Sequence, residues 1–115
     1  MHTQAIMTLD DYYSPVSHVK LAEILDAISK VLAIGKRDLI GPCRRRDICE
    51  ARQVYFWIAR KFTTCSFPVI ARSCGDRDHS TAMHGARKVD LLFPEFQSRV
   101  IRVLKALGIP YEVAA

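Results

Sequence analysis

GDRDHSTAMHGARK, running from Gly75 to Lys88 behind the short apolar segment FPVIARSC from Phe67 to Cys74, decides how this chain folds. It reads as two helices meeting at a tight corner. Pro68 suits a first helical turn, where its missing N–H would have no partner anyway, and Gly75 suits the residue just past a helix end, where positive φ costs it nothing. Asp78 then stands as N-cap of a helix beginning at His79. Ala82, Ala86 and Val89 recur at helical spacing and give that second helix a buried stripe.

His79, Ser80, Thr81, His84, Arg87 and Lys88 remain on the outward side, with Arg77 just before the start. Hydrogen-bonding and cationic groups are thereby crowded at the exposed N-terminal end and along one flank of a helix. That is the geometry of a helix-turn-helix, whose second helix enters the major groove with its N-terminal residues against base edges. The partner expected from it is double-stranded DNA.

RDHST, followed by a histidine and then ARK, with Arg52-Gln53 upstream, resembles the C-terminal DNA-binding domain of the bacterial replication initiator DnaA. The likeness covers roughly residues 24 to 92 and is strongest over 36 to 92. It implies an all-α fold, a compact Trp-repressor-like bundle of five to six helices. Initiators of this family couple the reading domain to an ATPase that opens the origin, and only the reader is expected in this chain. The resemblance also implies an arginine two residues before Arg52-Gln53, reaching into an A·T-rich minor groove, whose narrow walls enhance negative potential. Glu50 stands there instead. A carboxylate would be repelled by flanking phosphates, so either the adjoining minor groove is not read or Arg44, Arg45 or Arg46 reaches in instead, and a shorter or less A·T-biased site is expected. The plainer reading of Glu50 is a surface pair with Arg46, four residues earlier.

At 115 residues the chain is long enough for one core and not for two. Its net charge of +5 is uneven: Lys36 to Lys88 holds 12 Lys and Arg against 5 Asp and Glu. The excess therefore sits where the proposed reading surface is, as a phosphate-binding footprint requires. A solvated basic face is the competing interpretation of a charge run. An alternative function follows from it: a protein-interaction module that keeps the fold and offers its basic face to an acidic partner, or to the initiator itself.

Cys43, Cys49, Cys65 and Cys74 include no CxxC pair, and His79 and His84 do not stack on one helical face as in a zinc helix. No metal is expected, and the thiols read as reduced, in a cytoplasm. No apolar run approaches the ~20 residues needed to cross a bilayer, and no signal peptide is read. Gly35-Lys36 lacks the glycine five residues earlier that a P-loop requires, Lys30 standing there, so neither nucleotide nor any other cofactor is expected. No sequence context pairs a nucleophile with a base, and the chain is not read as an enzyme.

Residues 1–13 read as a polar tail whose Ile6, Met7, Tyr12 and Tyr13 could dock on the domain or on a partner, and 14–110 as one helical domain followed by a tail at 111–115. Ser14-Pro15 marks a helix start, with Leu21, Ile24, Leu25, Ile28 and Leu32 as a stripe ending at Gly35. KRDLIGPCRRR from Lys36 to Arg46, broken by Gly41-Pro42, reads as a loop lying over phosphates. A helix over 47–63 carries Ile48, Ala51, Tyr55, Ile58 and Phe62 on one face, broadened by Val54 and Trp57. An additional C-terminal helix is expected over 94–107, a second place where a protein partner could dock.

Each polar residue of the reading end has two possible roles. Asp78 can cap the helix or accept from a cytosine amino group. His79 can meet a purine edge or fill a core, and the RDHST context favours the base. Ser80 can bond a base but, unlike the threonine usual in the family, has no methyl for thymine. Thr81 suits a phosphate at a helix N-terminus, as do Arg77, Arg87 and Lys88. Arg44, Arg45, Arg46 and Arg52 complete the expected phosphate set, while for Arg52, Arg60 and Lys61 plain solvation competes with that role. Met83 reads as a packing residue.

Overall fold

The structure, a computed structural model, describes residues 19–111. The fold is all-α, and no strand occurs among the described residues. Six helices follow in order: α1 (Leu21–Leu32), α2 (Lys36–Ile40), α3 (Arg46–Phe62), α4 (Phe67–Ser73), α5 (His79–Leu91) and α6 (Phe93–Ala106). The polar tail and the Ser14-Pro15 pair lie outside the described residues.

Helix α3 is the axis on which the others pack. Its expected stripe is buried, but so is every residue from Val54 to Ala59, Phe56 included, because α1, α2, α4, α5 and α6 all lean on it. A helix covered on all sides needs apolar side chains on all sides, and this sequence supplies them over that stretch. Trp57 stacks on Phe93 of α6 with ring centroids 5.4 Å apart, and its indole N–H donates to Asp90 Oδ1 of α5 at 2.7 Å. Phe96, Val100, Val103 and Leu104 of α6 close the same core against α1 and α3.

Three boundaries differ from the sequence expectation, the first being the start of α1, which lies at Leu21 behind an extended Lys20 and not at Ser14-Pro15. Helix α1 ends at Leu32, with Ala33 in the left-handed region at φ 55°. Ile34 N–H then donates to Ser29 O at 3.0 Å, and the Ser29 hydroxyl returns a bond to Ile34 O at 2.6 Å. Gly35, expected as the stop, is extended and serves as N-cap of α2. The segment read as one long loop therefore contains a short helix, and only 41–45 is loop. Lys36 anchors it to α1 through Asp26, 2.6 Å away.

The corner between α4 and α5 forms as its residues dictate. Pro68 lies in the first turn of α4, and Gly75 has φ 79°. A Cβ at Gly75 would fall 2.0 Å from the Ile40 carbonyl oxygen, so the close approach of α2 demands glycine as strictly as the backbone angle does. Asp76 and Arg77 N–H groups fold back onto Arg72 O and Ala71 O at 3.1 and 2.9 Å, satisfying the last carbonyls of α4. The chain then restarts at Asp78, the N-cap of α5.

Candidate nucleic-acid interface

Helix α5 buries Ala82, Gly85, Ala86 and Val89 and leaves the rest of its circumference outside. Gly85 was not on the expected stripe. It is buried because Phe56 lies directly beneath: a Cβ there would sit 2.7 Å from the Phe56 ring and 3.3 Å from Gln53 Cγ. The absence of a side chain lets α5 settle close against α3.

A groove flanks α5 on each side. One, of about 360 Å³, runs between α5 and α3 and is lined by Arg77, Thr81, His84, Gly85 and Lys88 on one wall and Cys49, Arg52, Gln53 and Phe56 on the other. The second, of about 250 Å³, is lined by Trp57, Phe67, Met83 and Ala86 together with the charged Arg60, Lys61, Arg87 and Asp90. Met83, read as a packing residue, is 37% exposed in that second groove. Arg60 lies over the Phe67 ring, 5.4 Å from its centroid, which holds the guanidinium in place.

At the N-terminal end of α5, Asp78, His79 and Ser80 come together. Asp78 occupies the N-cap position, and its carboxylate takes the Ser80 hydroxyl at 2.5 Å. That hydrogen bond is the main reason its carboxyl titrates below the ordinary range, with the neighbouring His79 adding to it. His79 Nδ1 stands 3.6 Å from Asp78 Oδ1, and the ring is exposed. The site thus presents an oriented carboxylate, an imidazole and a hydroxyl to solvent.

The expected phosphate set divides. Arg87, Lys88 and Thr81 are exposed on α5, and Arg44, Arg45 and Arg46 are exposed at and before the start of α3. Arg45 pairs with Asp47 at 2.9 Å and Arg46 with Glu50 at 3.3 Å, whereas Arg44 has no partner among the described residues. Arg52 does not belong with them. It is 6% exposed and its guanidinium points inward, Nε to Leu39 O at 2.7 Å and Nη2 to Asp38 O and Gly41 O at 2.9 and 2.8 Å. The physical reason is α2: a five-residue helix ends there with carbonyls that have no helical partner, and a cation at a helix C-terminus is doubly favoured. Arg77 is turned the same way, with Nη2 on Gly41 O at 2.5 Å and Nη1 on Cys74 O and Ile40 O.

Residues 21–89 match the family described as the bacterial dnaA protein helix-turn-helix, more than half of the chain. The chain belongs to that DnaA family. It is 42% identical over 74 residues to the chromosomal replication initiator protein DnaA of Cereibacter sphaeroides, which takes in 64% of this chain and 16% of that protein. The Neisseria meningitidis initiator is 43% identical over 72 residues, covering 63% and 14% respectively. That of Bartonella quintana is 33% identical over 91 residues, covering 77% and 18%. The chain therefore spans less than a fifth of the length of these DnaA relatives.

The DnaA match ends at Val89, yet α6 completes the same core and reaches back to the position where the sequence departs from the expected pattern. Glu50 accepts from Arg99 of α6 at 2.8 Å as well as from Arg46. These guanidinium groups, Arg99 foremost, hold its carboxyl below the usual range, and Arg99 in turn lies 4.7 Å from the Phe96 ring centroid. Glu50 is thus a tie between α3 and α6. An arginine in its place would face a like charge.

Gln53 is the groove residue that sequence reasoning left out of the site. Its Oε1 is buried without a hydrogen-bond partner, and the residue lines the groove beside Thr81 and Lys88. Its only signal was adjacency to Arg52. Among the described residues no cluster of His, Cys, Asp or Glu could hold a metal, all four cysteines are free, and no helix is long and apolar enough to cross a membrane.

Proposed function

We propose that this chain is a sequence-specific duplex-DNA reader that inserts α5 into the major groove. The observation that carries this reading is the pair of grooves along α5, each lined by an excess of cations: Lys88 on one side, and Arg60, Lys61 and Arg87 against Asp90 on the other. A helix lying in a major groove has a sugar-phosphate strand on each side, so cations on both flanks fit that partner better than a single acidic peptide. Asp78, His79 and Ser80 meet base edges, with Asp78 aimed by the Ser80 hydroxyl at a cytosine amino group. Thr81, Arg87, Lys88, Arg60 and Lys61 take phosphates beside α5, and Arg44, with Arg45 and Arg46, takes the flank. Arg52 and Arg77 drop out of the contact set.

Such a protein acts by occupying sites, as a transcriptional regulator or as an accessory or competing factor at initiator boxes. Selection from random duplexes, followed by titration of the enriched site against salt, tests the reading. A steep fall of affinity with salt is expected, together with a preference over random DNA, and each removed phosphate contact should flatten the logarithmic slope by about 1. A slope near zero would defeat DNA binding. Salt-dependent binding without preference would leave only an electrostatic, non-reading surface.

A further inference from the structure

We propose that Arg52 and Arg77 are positioning residues that make the arginine loop and the recognition helix one rigid reading unit; this rests on the DNA reading above. Both guanidinium groups donate to Gly41 O, Arg52 from α3 and Arg77 from the turn that leads into α5. Around that shared acceptor they take up the exposed end of α2: Asp38 O and Leu39 O go to Arg52, and Ile40 O goes to Arg77. Gly75 presses on the same place, its α-carbon side packed so closely on Ile40 O that no Cβ would fit. Loop 41–45, and with it Arg44, therefore departs from a point held by the two elements of the reading end. The fork geometry matters. A guanidinium can bond several fixed carbonyls at once, whereas an ammonium is a point charge on a flexible stem.

The consequence is coupling between sites far apart in sequence. With the loop held, Arg44 meets the flank of the site in register with Asp78 and His79. With the fork lost, Arg44 keeps its charge but not its place.

A double-mutant cycle on the full chain decides it, using the duplex that the wild-type protein enriches from a random library. Arg52→Lys retains the charge and is expected to weaken that duplex about tenfold. Arg44→Ala is expected to cost about tenfold in the wild-type background and less than threefold when Arg52→Lys is present, because neighbours in one network do not add. Thermal unfolding of each variant monitors folding. Should Arg52→Lys fail to fold, the same cycle with Arg77→Lys, at a half-exposed position, is expected to show the same non-additivity. An equal cost of Arg44→Ala in both backgrounds overturns the positioning role while leaving DNA reading intact. A wild-type chain that enriches no duplex overturns both.

Discussion

Helices α3 and α5 both carry charged and hydrogen-bonding residues and use them in opposite ways. In α3 two of the charges are taken up by neighbouring helices, Arg52 by the carbonyls ending α2 and Glu50 by Arg99 of α6. In α5 the polar end is open to solvent and bonds only within itself, Asp78 to Ser80. The difference follows from packing. Helix α3 is surrounded by five neighbours, so Arg52 on it meets carbonyls of α2 and Glu50 meets Arg99 of α6, while α5 rests on a stripe of small residues and leaves its other faces open to solvent. A count of cations in this region therefore overstates the interface.

The comparison is sharpened most at the contact between the two helices. Gly85→Ala places a methyl 2.7 Å from the buried Phe56 ring, which must shift to admit it. A loss of about 2–3 kcal/mol in unfolding free energy is expected, in the upper part of the range for overpacked cores. Urea denaturation checks it, and Phe56→Leu in the same chain should restore part of the loss. Unchanged stability in Gly85→Ala would mean that α5 does not sit as close to α3 as described.

His79→Ala probes the opposite behaviour. The ring is exposed and pairs only with the exposed Asp78, so stability should be nearly unaltered, while affinity for the preferred duplex falls by about 1–2 kcal/mol. That is the lower part of the range for base contacts, because one imidazole supplies a single hydrogen bond where a bidentate side chain supplies two. Affinity for random DNA should hardly move. Equal losses on both duplexes, or a lowered melting temperature, would make His79 structural and erase the contrast with α3.

The smallest effect belongs to Glu50. Its carboxyl is held below the ordinary range by Arg99 first and Arg46 second, so its contribution to stability is complete above the unfolded value near 4.3 and is lost as pH falls through the lower folded value. Glu50→Gln should cost roughly 0.5–1 kcal/mol at neutral pH, given partial solvent screening, and should make the acid limb of the stability profile shallower. Thermal melts from pH 7 to pH 3 measure both. A wild-type acid limb that the substitution leaves unaltered would show that α6 is not tied to α3 through this pair.

Local chemistry alone determined a good deal of this protein. The all-α fold, the corner at Gly75, the helix start at Asp78 and the buried positions Ala82, Ala86 and Val89 were legible because caps, glycine angles and 3.6-residue periodicity act over a few neighbouring residues. The crowding of hydrogen-bonding groups at the start of α5 was legible for the same reason. Periodicity tells which face of a helix a residue occupies, but not what lies opposite that face. Arg44 and Arg52 are the same residue eight positions apart, and only the approach of the α2 carbonyls turns one inward and leaves the other in solvent. The stop at Ala33 rather than Gly35, the groove position of Gln53, the burial of Gly85 under Phe56 and the bond from Glu50 to a helix 49 residues away were likewise decided by which element packs against which. Those are contacts between segments distant in sequence, and they exist only once the helices have closed around α3.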